Sequence, residues 1–193
     1  TLYKCVIMQK KRLYSDYLKA CGSGEGRNSH YCHCCLIWHR SLNKGSFFCL
    51  EEKRMKLYFA PMEGITGYLY RNVFHDFFGA GIDKYFAPFI VPTRGTSVKS
   101  RTVRDILPEN NVGIPLVPQI LSNHVQNFIE LSKYLSELGY EEVNLNLGCP
   151  YGTVVAKGRG SGMLDDPREL DRFLDGIFEG CEGKIGISVK TRI

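Results

Sequence analysis

The chain has 193 residues, 44% of them hydrophobic, and a formal net charge of +5. That is the length of one ordinary domain, with enough apolar residues for a real core. Residues 1–54 hold 10 Lys and Arg against 4 Asp and Glu, a net of +6, whereas residues 55–193 hold 15 against 16, a net of −1, so the positive charge is excluded as a sign that the folded part binds RNA. No apolar run approaches transmembrane length, which argues against membrane insertion. The N-terminus lacks a charged-then-apolar signal layout, which favours the cytoplasm, where thiols stay reduced.

The first segment reads poorly as structure. Glycine and serine interrupt it between Cys21 and Gly26, and no strand–turn–helix alternation appears. Six of the eight cysteines (Cys5, Cys21, Cys32, Cys34, Cys35 and Cys49) precede Met55. Cys32, Cys35, His39 and Cys49 are zinc-ligand types, but their C-x2-C-x3-H-x9-C spacing fits no zinc module, and no metal site is assigned. Met55-Lys56 stands just before the first good strand, as a natural start would. Residues 1–54 are therefore expected to be an irregular, Cys-rich basic extension outside the functional protein.

From Met55 the pattern becomes regular. Residues 57–61 predict a short buried strand ended by Pro61, followed by the loop Met62–Thr66. Thr66 is placed to cap a helix running to about Phe78, with Leu69, Val73, Phe74 and Phe77 on one side and Gly79 and Gly81 closing it. Residues 84–91 predict a second strand, stopped by Pro92. A long basic loop then carries Arg94, Lys99, Arg101 and Arg104 and reads as solvated surface. Residues 115–121 predict a third strand containing Gln119. Asn123 is placed to cap a helix bearing Phe128, Ile129, Leu131 and Leu135, closed at Gly139.

The fourth strand is the most informative. Val143, Leu145 and Leu147 alternate with Asn144 and Asn146, so the two amides share one face, opposite the aliphatic residues. Buried amides must be satisfied by neighbours or by a ligand. Gly148-Cys149-Pro150 stops the strand and holds a thiol just past its carboxyl end, where ligands gather in parallel α/β proteins. A glycine-rich run, Lys157 to Gly162, follows. Asp166-Pro167 is an N-cap and N1 pair for a helix with Leu170, Phe173, Leu174, Ile177 and Phe178 on one face; Cys181, at its exit, reads as structural. Residues 184–193 form the fifth strand.

Strands alternating with helices imply a parallel sheet with helical crossovers. Two closures fit, an open doubly wound sheet or a (β/α)8 barrel. The first strand–helix turn lacks G-x-G-x-x-G, and polar residues recur at strand ends; both favour the TIM-type barrel, truncated after about the fifth strand.

Five stretches, in order and at similar spacing, resemble the bacterial tRNA-dihydrouridine synthases. They are Ala60-Pro-Met-Glu-Gly-Ile-Thr66, the Gln119 strand, Asn144-Leu-Asn-Leu-Gly-Cys-Pro150, Lys157-Gly-Arg-Gly-Ser-Gly-Met-Leu164 and Val189-Lys-Thr-Arg192. The resemblance covers residues 55–193 and none of 1–54. It implies the N-terminal portion of an FMN-binding TIM-barrel catalytic domain, which uses NADPH to reduce uridine to 5,6-dihydrouridine in tRNA, with no membrane and no obligate protein partner. By position, it implies that Pro61, Met62, Gln119, Asn146 and Lys190 bind the cofactor, that Cys149 is the catalytic acid, and that Lys157 and Arg192 face the RNA or the target base. Gly67 departs from the acidic residue that many relatives carry there, a change expected to affect only a helix start. In the family the FMN phosphate site and the helical tRNA-gripping domain come from later sequence.

The chemistry suits these residue types. Hydride addition at C6 of uracil drives negative charge toward C5 and O4, and a thiol still holds a proton for C5 at neutral pH. A lysine at the flavin N1 and O2 edge stabilises the reduced ring. A uridine in the tRNA elbow must be extruded to reach the pocket. Plainer readings stand beside these: Cys149 as a small buried hydrophobe, Gln119 and Asn146 satisfying one another in the interior, Lys190 paired with Glu63, and Arg192 merely exposed. The rival enzyme is another FMN barrel such as a dihydroorotate dehydrogenase. The rival from another class is a non-enzymatic Cys-rich metal- and RNA-binding module.

Overall fold

The aliphatic residues of the fourth predicted strand pack under two helices, and the rest of the fold follows from that contact. In the computed structural model, which describes residues 3–6, 55–92 and 100–192, the elements are β1 (Tyr3–Val6), β2 (Leu57–Phe59), α1 (Tyr68–Phe78), β3 (Ile82–Phe86), α2 (Ser100–Ile106), β4 (Leu116–Val117), β5 (Gln119–Ile120), α3 (Val125–Glu137), β6 (Glu142–Leu147), α4 (Gly152–Val155), α5 (Pro167–Cys181) and β7 (Gly186–Arg192). Two 3-10 turns, Pro108–Asn110 and Gly160–Asp165, complete the set.

Strands β2, β3 and β4 form one parallel sheet, and β5, β6 and β7 pair in parallel in a second. Pro118, which has no N–H for a ladder, separates β4 from β5 within what the sequence predicts as one strand. A parallel bridge between Ile90 and Ile120 carries the second predicted strand beyond β3 to meet β5. The parallel strands thus neighbour one another in chain order, with no reversal of the kind that marks a doubly wound sheet.

Val143, Leu145 and Leu147 of β6 and Ile187 and Val189 of β7 join Phe128, Leu131 and Leu135 of α3 and Leu170, Phe173, Leu174 and Ile177 of α5 in one core. This alternation puts the polar residues of the same strands on the far face. Asp166 caps α5 as expected, its Oδ1 accepting from Arg168 N at 3.0 Å and Glu169 N at 3.1 Å. Cys181 ends that helix buried, and burial raises its thiol pKa against the opposing pull of the nearby Ser132 hydroxyl and the charge of Lys184.

Several local expectations are corrected. Thr66 does not cap α1: its hydroxyl accepts from Met62 N at 2.8 Å and donates to Met62 O, closing the Met62–Thr66 turn instead. The carboxylate at the start of α1 comes from 37 residues away, where Asp105 Oδ1 accepts from Tyr68 N at 2.6 Å. Much of the basic loop is helical, since α2 begins at Ser100; it holds Asp105 in place, while Arg104 donates to the Tyr68 hydroxyl at 2.7 Å. Residues 93–99, with Arg94 and Lys99, lie outside the described residues. On α1 the apolar residues Leu69, Val73 and Phe77 are exposed, and the buried residue is Arg71 at 0%. Its guanidinium pairs with Asp105 at 3.1 Å and donates to Thr66 O, Asp105 O and Asn111 Oδ1. Arg71 therefore ties α1 to α2 and to the loop after β2.

No element is predicted before Met55, yet Tyr3–Val6 is a strand, antiparallel to β7 along its outer edge. Cys32, Cys35, His39 and Cys49 lie outside the described residues. Among the described residues no helix is long and apolar enough to cross a membrane.

Candidate active site

Strand register assembles the site. Gln119 of β5, Asn144 of β6 and Ser188 of β7 stand on one rung of the parallel ladder, and Asn146 and Lys190 stand on the next toward the carboxyl ends. All five are buried and, by strand period, face away from the helices.

Four of them form one hydrogen-bonded chain. Ser188 Oγ donates to Val143 O at 3.5 Å and accepts from Asn144 Nδ2 at 2.8 Å. Asn144 Oδ1 accepts from Gln119 Nε2 at 2.7 Å, and Gln119 Oε1 accepts from Asn146 Nδ2 at 2.7 Å. Asn146 Oδ1 then accepts from two backbone groups, Gly148 N at 3.1 Å and Cys149 N at 2.9 Å. Backbone fixes both ends, because an N–H can only donate and a carbonyl can only accept. The three amides between them consequently run in a single direction, each bond polarising the next. Gln119 and Asn146 do satisfy one another, as the plainer sequence reading has it. The part of Gln119 left for a ligand is one Nε2 hydrogen and one Oε1 lone pair.

Cys149 is held on both sides of its peptide. Asn146 takes its N–H, and its carbonyl accepts from Ser161 N and Ser161 Oγ, each at 3.0 Å. The glycine run makes this second contact possible. A Cβ on Gly160 would lie 2.7 Å from Cys149 O and 3.0 Å from Cys149 Cβ, and Gly160 has a φ of +57°, so only glycine fits there. The run approaches the cysteine's own backbone. The residue itself remains half-exposed, unlike Cys181.

The other predicted residues share this end of the sheet. Pro61 and Met62 follow β2 at its carboxyl end, with Met62 57% exposed and the turn closed by Thr66. Lys190 is 7% exposed beside Asn146, and Arg192, two residues further on, lies half-buried on the same face of β7. Lys157 is exposed on the segment after α4, and its carbonyl accepts from Asn123 Nδ2 at 3.0 Å. Asn123 is not the cap of α3 that the sequence suggests; His124 holds that position, and Asn123 also accepts from Arg159 Nε at 3.1 Å.

The sequence suggested no role for Ser188, Ser161 or Arg159, and for Asn123 only that of a helix cap. Ser188 was discoverable from its period-two spacing to Lys190. Ser161 carried no signal, because its contact depends on how the 3-10 turn folds back.

The inward face made by Gln119, Asn144, Asn146, Ser188 and Lys190 offers amides, a hydroxyl and an ammonium, with no carboxylate among them. This donor set suits a flat, carbonyl-rich heterocycle that gains negative charge, and it does not suit a divalent cation.

The profile of the family described as dihydrouridine synthase matches residues 58–193. A probable tRNA-dihydrouridine synthase of Staphylococcus aureus (strain Mu50) is 31% identical over 153 residues, covering 76% of this chain and 43% of that protein. One from Staphylococcus epidermidis (strain ATCC 12228) is 30% identical over 141 residues, 69% of this chain and 40% of its own. The tRNA-dihydrouridine(16) synthase of Cupriavidus necator is 28% identical over 144 residues, 72% of this chain and 44% of its own. The chain thus spans less than half the length of these relatives. The profile match begins inside β2 and takes in every side chain of the hydrogen-bonded chain as well as Cys149, and on that ground the protein belongs to the dihydrouridine synthase family.

Proposed function

We propose that the chain is the amino-terminal part of a tRNA-dihydrouridine synthase, in which Cys149 gives a proton to C5 of a target uridine while FMN and NADPH supply the reducing power. The observation that carries this reading is the fixed placement of Cys149: a half-exposed residue at the carboxyl end of β6, its peptide held by Asn146 and Ser161 beside the polar face of Gln119, Asn144, Asn146, Ser188 and Lys190.

The residues present fit a flavin. Lys190, the remaining valences of Gln119 and the Asn146 amide would hold the isoalloxazine ring, with Pro61 and Met62 packing on it from the loop after β2. When bound, FMN supplies hydride to C6 of the pyrimidine. The buried ammonium of Lys190 would offset negative charge on the isoalloxazine ring, and its burial would strengthen the interaction. The Cys149 thiol delivers its proton to C5 as negative charge gathers there, and the thiolate is reprotonated from solvent after release. Lys157 and Arg192 face the RNA, whose target base leaves its stack to enter the site.

A closed eight-stranded barrel, the fold this family implies, takes β2, β3, β4 with β5, β6 and β7 as its first five strands. In such a barrel the β7 edge pairs with a further parallel strand, and that strand needs the place that β1 occupies. Residues 1–54 are accordingly outside the catalytic unit, which is 55–193 together with the strands that close the barrel. The test is to give the full-length protein NADPH and unmodified tRNA and to look for dihydrouridine in the digested RNA by mass spectrometry. Dihydrouridine formation is expected. Turnover of orotate or dihydroorotate with no change in tRNA would instead make the protein a different FMN barrel.

A further inference from the structure

Arg159 is positioned more strictly than a solvated arginine requires. Its Nε donates to Asn123 Oδ1 at 3.1 Å, and Asn123 Nδ2 donates to Lys157 O at 3.0 Å. A carbonyl can only accept, so the Asn123 amide has one orientation, with its oxygen toward the guanidinium. Bonding through Nε leaves the two terminal nitrogens of the fork available, the geometry that grips a phosphate bidentately. Among the described residues no carboxylate forms an ion pair with it. Residues 148–163 contain Lys157 and Arg159 and no Asp or Glu. The next residue, Gly160, lies against the backbone of Cys149, so the half-buried Arg159 sits in the chain immediately beside the segment that holds the candidate acid.

We propose that Arg159, braced by Asn123, binds a backbone phosphate of the RNA, at or next to the nucleotide whose base reaches Cys149. The proposal rests on the reading of the site as a tRNA-dihydrouridine synthase. A phosphate lies one ribose from its base, which matches an arginine set beside Cys149 and not on the inward flavin-binding face. A nicotinamide dinucleotide offers the same phosphate chemistry, and the test separates the two sources.

In the full-length protein, tRNA affinity is measured by fluorescence anisotropy between 50 and 200 mM KCl for wild type, Arg159→Gln, Arg159→Lys and Asn123→Ala. NADPH-driven flavin reduction and tRNA-driven flavin reoxidation are measured on the same preparations. One phosphate contact contributes a salt slope of about 0.7 to 0.9, or roughly a threefold change in affinity over that range. Arg159→Gln is expected to lose that increment of slope, and its affinity deficit should shrink about threefold from low to high salt. Arg159→Lys should keep the slope. Asn123→Ala should keep it too, with weaker binding because the fork is no longer oriented. NADPH-driven flavin reduction should be unchanged in all three. A full wild-type salt slope in Arg159→Gln, or a rise in the KM for NADPH in place of any effect on RNA, overturns the proposal. A wild-type protein that neither binds nor reduces tRNA overturns the underlying functional reading, and Arg159 with it.

Discussion

Replacing Asn146 with leucine tests whether the side-chain relay positions Cys149. Leucine keeps the branched skeleton of asparagine, though it is bulkier, and removes three hydrogen bonds at once: those to Gly148 N, Cys149 N and Gln119 Oε1. Water can reach the half-exposed Cys149, so the full desolvation penalty falls chiefly on Gly148 N and Gln119 Oε1. At about 1–3 kcal/mol for each of these two buried groups left without a partner, the loss is about 2–6 kcal/mol. For a protein of this size that corresponds to a fall in melting temperature of roughly 4–24 °C. Urea unfolding followed by circular dichroism measures the loss, and a cycle with Gln119→Leu isolates the bond between the two amides. Because the double variant removes both partners together, it should be less destabilised than the sum of the single variants by about 1–2 kcal/mol. The Gly148 and Cys149 amide protons should also lose protection from exchange in Asn146→Leu. Strict additivity, combined with unchanged exchange at those two amides, would refute the relay.

Other consequences can be checked separately. Arg71→Leu breaks a buried ion pair and should cost about 3–5 kcal/mol, read from chemical denaturation, because it leaves Asp105 uncompensated. Gly67→Asp should destabilise the wild type, since a Cβ there already lies 3.2 Å from Asp105 Oδ1, and should be tolerated better in an Asp105→Asn background. Tyr140 donates to Ile106 O at 2.5 Å, and burial pushes its pKa up to about 12. The unfolded chain releases that proton nearer the ordinary value of about 10 and then binds fewer protons than the folded one, so stability should fall as pH rises from 10 to about 12. Tyr140→Phe should flatten that part of the stability curve relative to wild type. Brief alkylation of the native protein, mapped by peptide mass spectrometry, should modify Cys149 and spare Cys181, which is buried and whose thiol pKa is raised.

Elements fixed by local chemistry were legible in the sequence. The alternation from Val143 to Leu147 identified a strand with an amide face, and Asp166-Pro167 marked the start of α5. The fifth strand, expected over 184–193, is β7. Contacts between distant residues were not legible. The Ser-Arg-Thr-Val-Arg-Asp-Ile segment has too few apolar residues to announce a helix, and α2 is secured by tertiary contacts of Asp105 with Arg71 and Tyr68. Asn123 has the chemistry of an N-cap, but its amide is engaged by Arg159 and Lys157 across 36 and 34 residues. On α1 the spacing of Leu69, Val73 and Phe77 correctly showed an apolar face, yet periodicity carries no information about what that face meets. In the candidate site, the amides shared a face by period alone, whereas the direction of the relay required knowing that Gln119 stands opposite Asn144.

The central claim is that Cys149 is the proton donor to the substrate, and rapid mixing of pre-reduced Cys149→Ala enzyme with unmodified tRNA tests it most directly. Flavin content and reduction by NADPH should stay near wild type, because neither requires this proton. Reoxidation by tRNA should slow by roughly two to four orders of magnitude, the range for loss of a positioned general acid. Serine at the same position should restore little, since an alcohol is a far weaker acid than a thiol. Reoxidation of the alanine enzyme at the wild-type rate would show that Cys149 is not the acid.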